Sequence, residues 1–541
     1  LGLGLEKVSQ SAHFFYWCKS NSEGQFVNPL STNNTTMKKR TFLPAGFAIA
    51  FLAATLISCN DDENMPVIET PEMTPDANFT ALAEGNQLYY FEDGNLTAPT
   101  EMITISGLGS GESIISIDYR PATGQLYGLS SGSRLYAINE NSGVATPLGM
   151  AAFSPAIEGG NASLDFNPTV DRIRLVSTSG QNLRLHPETG AVVATDGRIN
   201  GGMNPMIGAV AYTNSVSGAT ETVLFDIDIA TDKLYRQVPP NDGGLQEVGD
   251  LGVDFGEMVD LDIIADNSLA LAVNRMDNET RLYSINLTSG AASWVGVFSQ
   301  PIISIALKTN PIAYAADASG KLYRFNPMSP QPTMVDFQGL GMGETIVGLD
   351  FRPANGQLLA ISNMSQLYSV NPSNGMLTAI GNPLMPMIEG DLVGFDFNPT
   401  VDRIRLVTDS GQNLRLHPDL GTVVATDGDL NPGTPMVSGA AYTNNIAGAT
   451  TTSLVVIDHM TDMLYTQTPP NDGVLVAVGA LGIDVSGDNG FDVGGNSNAA
   501  FAVLTVGGQA GVYSINLTSG SASKVSDLNF MPVAMALGLG F

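Results

Sequence analysis

Short apolar runs of strand length recur along the chain, each broken by a cluster of Gly, Pro, Asn, Asp or Ser. Ile114–Gly149 shows the rhythm: IISIDYR, QLYGLS, RLYAIN and VATPLG, separated by PATG, SGS and ENSG. Apolar residues alternate within the runs, and the breaks carry hairpin-turn chemistry, so each run predicts a β-strand. An aromatic-then-apolar strand marks the beat at Leu135, Leu234, Leu282, Leu322 and Leu367, always opening Leu-Tyr. No stretch of useful length has helical periodicity.

The pattern repeats on a longer scale. Leu164–Gly197 (LDFNPTVDRIRLVSTSGQNLRLHPETGAVVATDG) returns 231 positions later as Phe395–Gly428, with 28 of 34 positions identical. AYTN at Ala211, PPNDG at Pro239 and SINLTSG at Ser284 return at Ala441, Pro469 and Ser514. Four strands in about 46 residues is the spacing of a β-propeller blade, and five such units fill one long repeat. The predicted fold is therefore all-β, with repeats at 79–310 and 311–541. Two arrangements fit. Ile302–Leu307 closes the first copy onto Phe79–Leu108, giving two tandem five-bladed propellers, which is the reading adopted. Alternatively the short connection Lys308–Asn310 continues into one ten-bladed ring closed by Pro532–Phe541. Either closure removes exposed sheet edges.

Before residue 79 the pattern changes. Residues 1–36 carry no periodic signal and read as an upstream extension. Met37-Lys38-Lys39-Arg40 then precedes an apolar run, Thr41 to Ile57, ending in Leu-Ile-Ser-Cys at Cys59. Residues 37–58 resemble a bacterial lipoprotein signal peptide, which implies acylation of Cys59 and attachment to a membrane through that lipid. Asn60-Asp61-Asp62-Glu63 resembles the signal that exports Bacteroidetes lipoproteins to the outer face of the outer membrane. That resemblance implies a surface-exposed outer-membrane lipoprotein. Residues 59–78, with Pro66, Pro71 and Pro75, read as an acidic tether.

Charge narrows the partners. Of 23 basic and 53 acidic residues, 5 and 2 precede Cys59, leaving a mature chain of formal charge −33. Such a surface repels phosphate backbones, so nucleic acid is not an expected partner. The only other cysteine, Cys18, precedes Cys59, so neither a disulfide nor a cysteine metal site is expected after it.

The long motif carries the candidate chemistry. Alternation in 171–176 puts Arg172 and Arg174 on one strand face, and Asn182, Arg184 and His186 share a face of the next. With Asp165, Asn167 and Asp171 these make one set; Asp396, Asn398, Asp402, Arg403, Arg405, Asn413, Arg415 and His417 make the other. Blade faces pack on neighbouring blades, so buried guanidinium groups need partners, with Asp165, Asp171, Glu188 and Asp196 near in sequence. Either the set is an inter-blade ionic network, or it lines a groove for an anionic or sugar ligand. Catalysis has little to build on: three histidines follow Cys59, too few within one ring for a multi-histidine zinc site, and no nucleophile elbow is in view. No catalytic residue and no cofactor is assigned, although Asp226, Asp228 and Asp232 have the spacing of a calcium loop. The second copy keeps only Asp458 and Asp462 of that set, which favours a turn role.

DFNPxVDRIRLV followed by SGQNLRLHP and VVATDG resembles the bacterial domain-of-unknown-function family numbered 4394, over both copies. The resemblance implies a secreted or anchored propeller-like domain and supplies no activity. The expected function is an envelope-anchored module that binds or scaffolds an extracellular glycan, peptide or protein. The alternatives are an extracellular hydrolase or lyase acting on polysaccharide, and a purely structural envelope protein.

Overall fold

The computed structural model describes residues 77–541 apart from Asp93. The signal segment, Cys59 and nearly all of the tether lie outside the described residues. The described chain forms ten four-stranded antiparallel sheets. Its only regular helix is 3-10, in the turns Pro240–Asp242 and Pro470–Asp472.

The sheets make two closed rings of five blades. Ile302–Leu307 pairs with Phe79–Ala83 and supplies the innermost strand of the first blade. Pro532–Leu537 does the same for Ala313–Asp317. The short connection therefore joins two rings rather than two blades of one, and the three-stranded look of 79–108 follows from its missing strand arriving last. Every Leu-Tyr run is the third strand of its blade.

Packing repeats from blade to blade. Leu164, Phe166, Ile173, Leu175, Leu183 and Leu185 of the motif blade bury against Tyr127, Leu129 and Leu135 of the blade before it. Ring closure shows in the same way, since Leu271 and Leu282 of the fifth blade share a cluster with Phe79 and Phe91 of the first. Phe501 and Val512 pack on Ala313 and Tyr323 to close the second ring. Each blade is two-faced, and burying both faces takes a neighbour on each side.

Both rings fall in one compact unit. Turns of the first ring meet a strand, a turn and the last residues of the second: Tyr314 Oη donates to Ala122 O at 3.0 Å, Asn141 Nδ2 to Asn496 O at 2.7 Å, and Gly540 N to Thr123 O at 2.9 Å. Gly540 permits this approach, because a Cβ there would lie 1.9 Å from Gly124 O.

Candidate functional site

The motif blade connects three blades. Its strands Arg172–Ser177 and Asn182–Leu185 pair with Arg174 opposite Arg184, so both guanidinium groups leave one face, towards the fourth blade. Arg174 is buried. Its Nη1 donates to Asp196 Oδ2 at 2.6 Å and Asn182 Oδ1 at 2.7 Å, its Nη2 to Asn241 Oδ1 at 2.7 Å, and its Nε to Tyr212 Oη at 3.3 Å. Arg184 makes a two-pronged contact with Asp196 at 2.8 and 3.0 Å. Asn182 Nδ2 donates to Gly197 O and Pro240 O, both at 3.0 Å. The second ring repeats every one of these contacts with Arg405, Asn413, Arg415, Asp427, Tyr442 and Asn471.

The rest of the motif turns the chain and grips the preceding blade. Asn167 Oδ1 takes the N–H and hydroxyl of Thr169, and Asp171 adopts a left-handed conformation (φ 50°) that closes the turn. Asp171 then holds Arg120, the fully buried arginine that ends the inner strand of the second blade, through Nε at 2.9 Å and a second bond from Nη2. Glu188 adds a contact at 3.3 Å, and Arg120 Nη1 crosses to the second ring, donating to Gly356 O at 2.9 Å. Arg172 donates to the Asp171 carbonyl at 2.7 Å. Asn398, Asp402, Arg403 and Arg352 repeat the turn and the grip, with Asp419 in place of Glu188.

The two copies differ in what covers them. The Asp171 and Glu188 side chains are 5% and 12% exposed, whereas Asp402 and Asp419 are 34% and 58% exposed. In the first ring, Asp171, Arg172, His186 and Glu188 line a cleft of about 260 Å³ whose other wall is Ser369–Pro372 of the second ring. Burial, with Arg172 and Arg120 beside it, pushes the His186 imidazole down to about 4. It is neutral at pH 7, and its Nδ1 accepts the Glu188 N–H at 3.3 Å.

Asp165 and Asp396 lie elsewhere, on the ring axes. Asp118, Asp165 and Asp262 come from the inner strands of the second, third and fifth blades, with an oxygen of each within 4.8 Å of the others. Ala211 and Ala306 fill the equivalent places on the remaining two inner strands. Asp350, Asp396 and Asp492, with Ala441 and Ala536, repeat the layer. Each aspartate ties two inner strands together: Phe166 N–H donates to Asp118, Tyr212 N–H to Asp165, and Leu307 N–H to Asp262. Burial, and then the neighbouring carboxylates, raise Asp118, Asp165, Asp350 and Asp396 well above the usual carboxylate range. Asp262 and Asp492 are pushed up by burial to about 7.

The model of a family described as a domain of unknown function (DUF4394) matches residues 87–306 and again 321–537. The chain belongs to that family. No curated protein matches it.

Each DUF4394 copy is thus one five-bladed ring, and its motif is a set of ties rather than a cluster of reactive groups. The structure does not gather Asp226, Asp228 and Asp232 into an oxygen cage. Asp228 accepts the Met206 and Ala230 N–H groups, Asp232 accepts the Phe255 N–H, and Asp226 is buried on a strand without a hydrogen-bond partner among the described residues. Between the two DUF4394 rings lies a second, larger cavity of about 430 Å³. Ile312, Met328, Phe501 and Phe541 give it apolar walls. Tyr119, Glu140 and Lys308 give it a polar patch, in which Tyr119 Oη donates to Glu140 Oε1 at 2.5 Å and Lys308 Nζ lies 3.2 Å from the same oxygen.

Sequence reasoning passed over Arg120, Arg352, Asn241, Asn471 and four of the six axial aspartates. The signal was there for the arginines: Asp-Tyr-Arg-Pro-Ala at Asp118 returns as Asp-Phe-Arg-Pro-Ala at Asp350.

Proposed function

We propose that this protein is an envelope-anchored binding module whose ligand sits in the cavity between its two rings. The carrying observation is the construction of that cavity. The first ring, the connection Lys308–Pro311 and the second ring each contribute walls, so the tandem arrangement makes a site that neither ring has alone. Its size and its largely apolar lining with a few convergent polar groups are those of ligand sites. The walls suit a peptide or glycan segment that presents an apolar face together with hydrogen-bonding groups. The formal charge of −30 speaks against polyanions. The motif arginines, in contrast, are already committed to protein partners.

Attachment rests on the basic, apolar and Leu-Ile-Ser-Cys segments that precede Cys59 in order. We read the protein as an outer-membrane lipoprotein displayed at the cell surface. Among the described residues no helix is long and apolar enough to cross a membrane. Labelling with a palmitate analogue in a Gram-negative host tests the anchor: wild type is labelled, and equal labelling of Cys59→Ala rejects it.

Glycan and peptide arrays probed with the purified mature protein test the binding reading. Met328 is 62% exposed at the cavity wall, so Met328→Trp fills space without disturbing the core. Hits should weaken at least tenfold in that variant. Hits that bind both proteins equally would place the site elsewhere, and depletion of a polysaccharide substrate would favour the hydrolase or lyase alternative.

A further inference from the structure

We propose that the outer face of the second ring is a docking surface for a basic, apolar segment of a protein partner. Strands alternate in direction within a blade, so the connections of each ring fall into two sets at opposite ends. The contacts between the rings, and the cavity, lie at the end that carries the first-to-second and third-to-fourth strand turns. The other end of the second ring carries the loops between blades and the second-to-third strand hairpins. A surface there stands or falls apart from the cavity.

Four methionines stand on that end. Met342 is 99% exposed in the loop 337–345, Met364 is 42% exposed in the hairpin 363–366, and Met385 and Met387 are 77% and 53% exposed in the loop 381–392. They adjoin one another. Met364 Cε lies 3.8 Å from where a Cβ on Gly343 would be, and the next loop hangs on the Met364 hairpin: Leu384 N–H donates to Ser365 O at 2.8 Å and Ile388 N–H to Ser365 Oγ at 2.9 Å. Gln412 Nε2 donates to Met387 O at 2.9 Å and carries the frame on to the hairpin of the third blade. The backbone is thus fixed beneath unbranched, adaptable side chains, which lowers the ordering cost of binding. Side chains this exposed stand proud of the surface and enclose no small molecule. The occupant is a chain segment that brings side chains of its own.

Comparison of the two rings gives the chemistry of that segment. At the four methionine positions the first ring has Ser110, Gly132, Ser154 and Ala156. Beside them it pairs Glu158 with Arg198 at 2.8 Å and Glu112 with Arg134 at 3.4 Å. The second ring has Asp429 in place of Arg198 and Gln366 in place of Arg134, and it adds Asp391 and Asp409 where the first has Gly160 and Thr178. Hydrogen bonds hold these acids beside the methionine loop: Glu389 N–H donates to Gln412 Oε1 at 3.1 Å, Asp391 N–H to Asp409 Oδ1 at 3.0 Å, and Leu430 N–H to Gly411 O at 2.9 Å. Among the described residues Glu389, Asp391, Asp409 and Asp429 have no basic partner. The same face is therefore polar with paired charges in the first ring, and apolar with unpaired carboxylates in the second. Interleaved apolar and basic side chains complement it, whereas polyanions and anionic headgroups are repelled.

The test is fluorescence anisotropy of the purified mature protein with a labelled synthetic peptide of leucine and lysine in amphipathic helical spacing. An equally charged peptide of serine and lysine is the control, and it should bind at least tenfold more weakly. The double variant Met385→Ser, Met387→Ala places the first ring's residues in the loop and should weaken binding of the leucine peptide at least tenfold. Asp429→Arg restores the first ring's base, so it should weaken binding several-fold and flatten its salt dependence; it decides the matter if the double variant does not fold. Met203→Ser on the outer face of the first ring and Met328→Trp on the cavity wall should each leave affinity within twofold. Equal binding of the two peptides overturns the proposal, as does unchanged affinity in a folded double variant or in Asp429→Arg. Binding of uncharged phosphatidylcholine vesicles that the double variant loses would assign the face to a membrane instead, and would also overturn it.

Discussion

Arg174 Nη2 lies 2.7 Å from Asn241 Oδ1, and that bond ties the third blade of the first ring to a turn of the fourth. Asn241 sits in the 3-10 turn Pro240–Asp242, which Gly243 ends in a left-handed conformation (φ 70°). Arg405 and Asn471 make the same tie at 2.8 Å in the second ring. A planar fork with five donors suits this position, because one guanidinium takes up a carboxylate, two amide carbonyls and a phenol around one inter-blade gap.

Replacing Arg174 with Met should therefore lower stability by about 3–5 kcal/mol, since Asp196 and the two amide oxygens lose a buried donor. Arg405→Met should cost about the same. Arg184 is 35% exposed and shares Asp196 with Arg174, so Arg184→Met should cost about 1 kcal/mol or less. Thermal unfolding of the three variants checks the order, and an unchanged midpoint for Arg174→Met would refute the tie.

Asp226 gives the opposite expectation. It is fully buried, neither of its oxygens has a hydrogen-bond partner among the described residues, and burial raises it well above the usual carboxylate range. The second ring has Val456 in its place. Asp226→Val should then raise stability by about 1–3 kcal/mol, the desolvation penalty of an unpaired polar group. A lower unfolding midpoint would show that the carboxyl has a partner in solution.

The strands, the blades and the motif arginines were legible because they are local: alternation and turn residues write them directly into the chain. The role of Asp171 was not, because its partner Arg120 lies 51 residues earlier on another blade. The axial aspartates were hidden for the same reason. Asp118, Asp165 and Asp262 look like ordinary strand acids until ring closure brings their inner strands together. Ring number was ambiguous because a hairpin and an inter-ring connection can have the same length, and only the pairing of Ile302–Leu307 with Phe79–Ala83 decides it.

That pairing implies that one ring can fold alone. Residues 77–310 contain all five blades, the closing strand and the Phe79–Leu282 cluster. The fragment should unfold cooperatively, and deleting Ile302–Asn310 from it should abolish the transition. The cost of separation falls on Arg120, which loses Gly356 O, and on Ala122 O, which loses the Tyr314 hydroxyl. A fragment that only aggregates would mean that the second ring is needed to hold the first together.

The axial acids also set the response to pH. Asp260 and Asp262 are held near 7 by burial, and Asp492 likewise, against an ordinary value near 3.8. Between about pH 4 and 7 the folded chain therefore binds more protons at these sites than the unfolded chain, and stability falls as pH rises through that window. His186 works the other way. Its folded value of about 4 lies below the ordinary 6.5, so its contribution is present above about 6.5 and is lost as pH falls towards 4. Several aspartates outweigh one histidine, and a tenfold change in the proton affinity of one group is worth about 1.4 kcal/mol. The protein should accordingly be a few kcal/mol more stable at pH 5.5 than at pH 8. Self-repulsion of so acidic a chain adds a shallower trend of the same sign, so the specific test is Asp262→Asn. That variant should flatten the slope between pH 5.5 and 7.5, and a slope equal to wild type would remove Asp262 from the account.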